Sequence, residues 1–136
     1  MIILKKIAAT ILFSFLLIST NNPVFSATIN ETDSELCDAL KYSLILSFSE
    51  QINKAIGEIY KNDSDVPKPL TWDAYSTQIL KIKQLNGIGG GYELTLKVYP
   101  YYRAHITYGE DKIVVNTGGE LINFKHLKTY PVVDFN

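Results

Sequence analysis

The chain is poor in the residues that build stapled or metal-held folds. It has one cysteine and two histidines in 136 residues, which excludes an intrachain disulfide framework and a zinc finger. Arg103 is its only arginine and the formal net charge is −1. Both argue against a nucleic-acid binder that works through a broad basic surface. No Gly-x-Ser-x-Gly and no His-Glu-x-x-His occurs, so neither a nucleophile elbow nor a zinc-protease helix is written into the chain. Internal repeats are absent, and no linker is long enough to set off a second domain. What is there has ordinary globular proportions, 46% hydrophobic and 20% charged, which sets aside disordered and collagen-like chains. The length suits one domain.

The first segment reads as an address. Lys5 and Lys6 precede an almost unbroken apolar run from Ile7 to Ile18, followed by polar Ser19 to Asn22, Pro23 and Val24-Phe25-Ser26-Ala27. This is the anatomy of a secretory signal peptide. Cleavage after Ser26 places Ser26 at −1 and Val24 at −3. The apolar run is shorter than the roughly 20 residues of a spanning helix. The expectation is therefore a leader over 1–26 and a single globular domain over 27–136, secreted or held at the cell surface, touching a membrane only if the leader stays uncleaved. Losing Lys5 and Lys6 leaves 11 basic residues against 14 acidic ones, which weakens any long-range attraction to acidic polymers. Cys37 lies too far from the apolar run to be a lipoprotein cysteine. It is expected as a small helical core residue, with an intermolecular disulfide as the functional alternative.

Past Ser26 the pattern predicts α+β. Thr32-Asp33-Ser34-Glu35 has the form of a capping box. Leu36, Leu40, Leu44, Phe48, Ile52, Ile56 and Tyr60 then recur every four residues. That predicts one long helix over 35–60, with a bend near Ser47 to Ser49 or at Gly57. Asn62 to Asp65 ends it and Pro67-Lys68-Pro69 prevents resumption. The period then changes to two. Tyr75 to Gln84 is β-rich. Tyr92, Leu94, Leu96 and Val98 alternate with polar residues, and Pro100 ends or edges that strand. Gly87 to Gly91 precedes a strand and lacks a following Lys-Ser or Lys-Thr, so it is a hairpin loop rather than a phosphate loop. Tyr101 to Asp111 reads as an irregular connection. Lys112 to Thr117 and Glu120 to Leu127 form a hairpin around a two-residue Gly118-Gly119 turn. The expected build is one long helix packed on a four-stranded antiparallel sheet.

The hairpin register pairs Thr117 with Glu120, Val115 with Ile122, Ile113 with Phe124, and Asp111 with His126. Alternation puts the last six on the core face. Asp111 is then beside an inward His126, where a carboxylate fixes the imidazole tautomer. His105 enters the same hairpin end. A His105–Asp111–His126 cluster suits a divalent metal or acid–base work. A structural hydrogen-bond network closing the end of the sheet is the competing reading. Tyr99, Tyr101, Tyr102 and Tyr108 crowd around Arg103. Tyrosine combines a large contact face with a polar tip and is enriched at interfaces, although sheet packing accounts for such a cluster equally well. Trp72 is expected to pack its loop onto the core.

Ala104-His105, Tyr108-Gly109-Glu110-Asp111-Lys112-Ile113 and Asn123-Phe124-Lys125-His126 resemble a small exported firmicute family, domain of unknown function family 3888. In it an Ala-His pair precedes a Tyr-Gly, a strand follows, and a Phe-x-His closes the domain. The resemblance extends over essentially the whole chain after the leader and implies an exported single domain, with no activity, cofactor or catalytic residue attached. The chain departs from the pattern at Ile106-Thr107, where the family has Asn-Pro-Pro, and at Arg103, where it favours glycine. The layout is also similar to cystatin-like folds, which carries no function. The leading expectation is a binding module that uses Tyr99, Tyr101, Tyr102, Arg103 and Tyr108 to contact a protein or a cell-wall polymer, without nucleic acid and without a cofactor. The alternative is a small metal-dependent or acid–base enzyme built on His105, Asp111 and His126.

Overall fold

Six strands and two helices make up residues 31–133, which the computed structural model describes. The leader expected over 1–26, with cleavage after Ser26, lies outside the described residues. The helices are α1 (Glu31–Leu46) and α2 (Ser49–Tyr60). The strands are β1 (Gln78–Gln84), β2 (Tyr92–Val98), β3 (Tyr101–Tyr102), β4 (Ile106–Thr107), β5 (Gly109–Asn116) and β6 (Leu121–Thr129). An antiparallel sheet runs in the order β1-β2-β5-β6, and β3-β4 form a separate small hairpin. The class is α+β with a four-stranded antiparallel sheet. No helix among the described residues is long and apolar enough to cross a membrane.

The single long helix is corrected to two. The Ser47 hydroxyl donates to the Leu44 carbonyl at 2.6 Å, and the Phe48 amide reaches back only three residues, to Ile45 O. A short polar side chain that competes for backbone groups tightens and ends a helix in this way. Phe48 itself leaves helical geometry at φ −102°, ψ 17°, and its carbonyl starts α2 by accepting from the Ile52 amide. A four-residue repeat also precesses by about 40° per step on a 3.6-residue helix, so no straight helix keeps Leu36 and Tyr60 on one face. Phe48, Ile52, Ile56 and Tyr60 are buried, whereas Leu36 and Leu40 are exposed. Cys37, on the same outer part of α1, is exposed as well and is not a core residue. The backbone is already helical at Glu31, ahead of the Thr32 expected to cap it.

The core lies between α2 and one face of the sheet. Leu94, Leu96 and Val98 on β2 and Ile113 and Val115 on β5 meet Ile52, Ala55 and Ile56. Each such large aliphatic burial stabilises by roughly 1.5–3 kcal/mol. Trp72 packs half-buried against this core, and its indole N–H donates to Asn53 Oδ1 at 2.7 Å. The loop before β1 is thereby pinned to α2. β1 starts at Gln78 rather than Tyr75, because Asp73 closes a turn first. Its carboxylate accepts from the Ser76 amide at 2.6 Å and its carbonyl from the Thr77 hydroxyl at 2.7 Å.

In the β5–β6 hairpin, Asp111 pairs with His126 and Ile113 with Phe124, as counted. The turn differs. Gly119 N donates to Asn116 O, Asn116 N to Glu120 O, and Gly119 has φ +83°. This is a three-residue loop with a left-handed glycine, not a two-residue one. Val115 consequently pairs with Leu121 instead of Ile122, and shifts in register follow at Ile122 and Leu127. Ile122, expected on the core face, is exposed. A further irregularity interrupts β1 at Leu80.

Candidate functional site

Asp111 is the one fully buried carboxylate among the described residues, at 0% exposure. Its place on β5 follows from the alternation that buries Gly109, Ile113 and Val115. On one side of it stands Val98, on the other His126. Asp111 Oδ1 lies 2.7 Å from His126 Nδ1 and accepts from the Tyr60 hydroxyl at 3.2 Å. Tyr60 closes the last turn of α2 and sets its ring edge-on to the imidazole, with centroids 5.4 Å apart. A buried carboxylate at Nδ1 holds the proton there. Nε2 is left to accept from the Thr129 hydroxyl, 2.8 Å away. Asp111 Oδ2 is buried without a partner among the described residues. Burial pushes the Asp111 carboxyl above its usual range, opposed by the hydrogen bonds from His126 and Tyr60. Burial, and then the Asp111 charge, push the Tyr60 hydroxyl far above its own.

Two further tyrosines, Tyr108 against Tyr60 and Tyr102 against Tyr108, brace this group. The Tyr108 ring lies 5.6 Å from that of Tyr60, and its hydroxyl donates to Asp63 Oδ2 at 2.7 Å. Tyr108 is pushed up to about 12 by burial and then by that hydrogen bond, which in turn lowers Asp63. The Tyr102 hydroxyl accepts from the Val133 amide at 2.9 Å. On the opposite face of the sheet, Lys97 pairs with Glu110 at 2.6 Å, and the Tyr130 hydroxyl donates to the same carboxylate. These contacts hold Glu110 low, that from Lys97 most.

The tyrosine cluster is therefore two groups. Tyr102 and Tyr108 are core residues, 3% and 2% exposed, and are corrected from contact residues to packing ones. Their rings fill the space beyond Tyr60, and their hydroxyls are satisfied internally. Tyr99 and Tyr101 remain half-exposed, and Arg103 is exposed. The expected irregular connection contains the β3–β4 hairpin, anchored by the paired backbone hydrogen bonds of Thr71 and Tyr101. Its tight turn holds two non-glycine residues in the left-handed region, Arg103 at φ +47° and His105 at φ +62°.

That turn takes His105 away from the buried pair. Its ring packs tilted against Tyr101 with centroids 4.5 Å apart, and Nδ1 is 3.8 Å from Asp73 Oδ2. Among the described residues no group of three His, Cys, Asp or Glu side chains is arranged to hold a metal ion, so His105, Asp111 and His126 do not form a metal centre. Two members of the buried group, Tyr60 and Thr129, were not singled out as site residues. Thr129 sits three residues past His126 and was within reach of the register. Tyr60 is 51 residues from Asp111, and only the packing of α2 brings it there.

Two clefts flank the Pro67–Pro69 loop. One, of about 480 Å³, is lined by Tyr60, Lys61, Val66, Lys68 and Leu70 among others. The other, of about 520 Å³, opens beside the β3–β4 turn and includes Lys68, Thr71, Tyr102, Arg103 and Val132. Neither is lined by Asp111 or His126.

The family described as "Protein of unknown function (DUF3888)" matches residues 40–128. This stretch takes in the end of α1, all of α2 and the whole sheet but the last residue of β6. No curated protein and no solved structure matches the chain.

Proposed function

The chain belongs to the DUF3888 family of proteins of unknown function, and from that premise we propose that it is an exported binding module. It contacts a protein or a cell-wall polymer through the turn between β3 and β4. The observation that carries this reading is the left-handed backbone at both Arg103 and His105. Each such residue costs about 1–2 kcal/mol relative to its relaxed geometry. Glycine would remove the strain, and no burial demands these side chains, since both are exposed. Strain kept at an exposed turn points to the side chains it presents. The Tyr101–His105 ring pair and Arg103 supply aromatic surface and a planar cation on one hairpin, a combination favoured in recognition. Export rests on Lys5, Lys6, the Ile7–Ile18 run and Ser26.

The test is co-sedimentation of the purified chain with isolated bacterial cell wall. Arg103→Gly/His105→Gly relaxes the backbone and is expected to keep the melting temperature while losing sedimentation. Equal sedimentation of the variant overturns the reading. Amino-terminal sequencing of the protein recovered from medium after expression of the full chain is expected to begin at Ala27.

A second reading has its own observation, the order carboxylate–imidazole–hydroxyl in Asp111, His126 and Thr129. With that order, Thr129 Oγ attacks an ester carbonyl as its proton passes to His126 Nε2. The proton then leaves with the alkoxide as the C–O bond breaks, and water hydrolyses the acyl-threonine. Hydrolysis of p-nitrophenyl acetate that is lost in Thr129→Val supports it. A rate unchanged by that substitution removes it.

A further inference from the structure

Building on the binding role above, we infer that the cleft beside the β3–β4 turn takes a phosphate group carried on a small polyol or sugar unit. The cleft brings Lys68, from the loop after α2, together with Arg103, from the turn, and among the described residues no acidic one lines it. Neither cation has an ion pair or a side-chain hydrogen bond among the described residues. By contrast Lys61 and Lys97 are paired, with Glu58 and Glu110. Two cations lining one cleft repel each other, and an anion bound between them relieves that repulsion.

The remaining lining narrows the ligand. Thr71 provides a hydroxyl, and Tyr102 and Val132 provide apolar surface, which fits a phosphate bearing carbon rather than a bare ion. A carboxylate is planar and is satisfied by the arginine fork alone. A tetrahedral phosphate offers oxygens to the fork on one side and to a point-charge ammonium on the other. The volume, about 520 Å³, lies within the range of small-molecule sites. Lys68 also lines the cleft of about 480 Å³. With 11 basic and 14 acidic residues after the leader, the exported form does not attract an anion from a distance, so recognition is local and falls off with salt.

The experiment titrates ¹⁵N-labelled protein with glycerol 3-phosphate, with glycerol and inorganic phosphate as separate arms. Saturable shifts at the amides of Thr71, Tyr102, Arg103 and Val132 are expected with glycerol 3-phosphate and none with glycerol. Inorganic phosphate is expected to reach the same amides more weakly. Arg103→Gly and Lys68→Gln, both at exposed positions, are each expected to weaken binding about tenfold with an unchanged spectrum elsewhere. Shifts spread over the surface lysines, or an affinity unchanged from that of the unsubstituted chain in both variants, overturn the assignment. If wall sedimentation depends on the turn while glycerol 3-phosphate does not bind, the phosphate assignment fails and the binding module stands. If neither occurs, both fail.

Discussion

The Tyr60 hydroxyl occupies the space that a side chain at position 109 would need. A Cβ built on Gly109 lies 1.8 Å from Tyr60 Oη and 3.3 Å from the Lys128 carbonyl. Glycine is required there by a close approach rather than by a left-handed backbone. It is what lets the end of α2 reach down to Asp111. The adjacent Tyr108 ring then packs against Tyr60, so the Tyr108-Gly109 pair forms a seat for one phenol.

Gly109→Ala is accordingly expected to destabilise by about 1–3 kcal/mol through overpacking. Tyr60→Phe removes the clashing oxygen, so the double variant should recover part of that loss. A double-mutant cycle by urea unfolding measures the coupling. Strict additivity of the two substitutions would contradict the seat.

His126→Ala leaves a buried carboxylate with only the Tyr60 hydroxyl. At pH 7 the cost is expected at about 2–3 kcal/mol, below that of breaking a fully buried pair, because His126 is partly exposed. The pH dependence has a definite sign. Asp111 is raised in the folded state, so the folded chain holds its proton more tightly than the unfolded one. The variant therefore gains stability as pH falls through that raised value toward the unfolded value of about 3.9. Urea midpoints at pH 7 and pH 5 check this, and a lower midpoint at pH 5 contradicts it.

Tyr108→Phe acts at the acid end. Asp63 is lowered chiefly by the Tyr108 hydrogen bond. Its contribution is complete above the ordinary carboxylate range and is lost as pH falls through the lowered value. Removing the hydroxyl is expected to reduce stability at neutral pH and to move the acid-unfolding midpoint upward. Circular dichroism across pH 5 to pH 1 reads the shift.

Tyr101 and Tyr102 are adjacent and should behave differently. Tyr102→Ser empties a core position and is expected to cost about 3–5 kcal/mol. Tyr101→Ser removes a half-exposed ring and should cost well under half of that. Thermal melts of the two single variants decide it.

Much of the architecture was legible locally. The alternation in Tyr92–Val98 marks one central strand and the run from Lys112 the other, each with one face on the core and one half-covered, whereas Gly109–Asp111, expected in an irregular connection, already belongs to β5. Pairing of Asp111 with His126 was also readable, although by a route in which two errors offset. The loop is one residue longer than Gly118-Gly119, and the irregularity at Ile122 restores the count. The helix break was only half legible. Ser47 is a plausible bend from sequence, but its bond to Leu44 and the burial of Phe48 turn a bend into an end. His105 was placed by its nearness in sequence to Asp111. A left-handed turn reverses the chain at that point, and nothing short of the backbone geometry announces a non-glycine residue there. Tyr60 belongs to the buried group through tertiary packing alone.

The interruptions in β1 and β6 fall on the two outermost strands of the sheet. Each of these strands also carries lysines, Lys81 and Lys83 on one side and Lys125 and Lys128 on the other. A bulged strand edged with like charge is a poor template for a further strand. Both margins of the sheet are thereby blunted against growth into a longer ribbon when copies are crowded together.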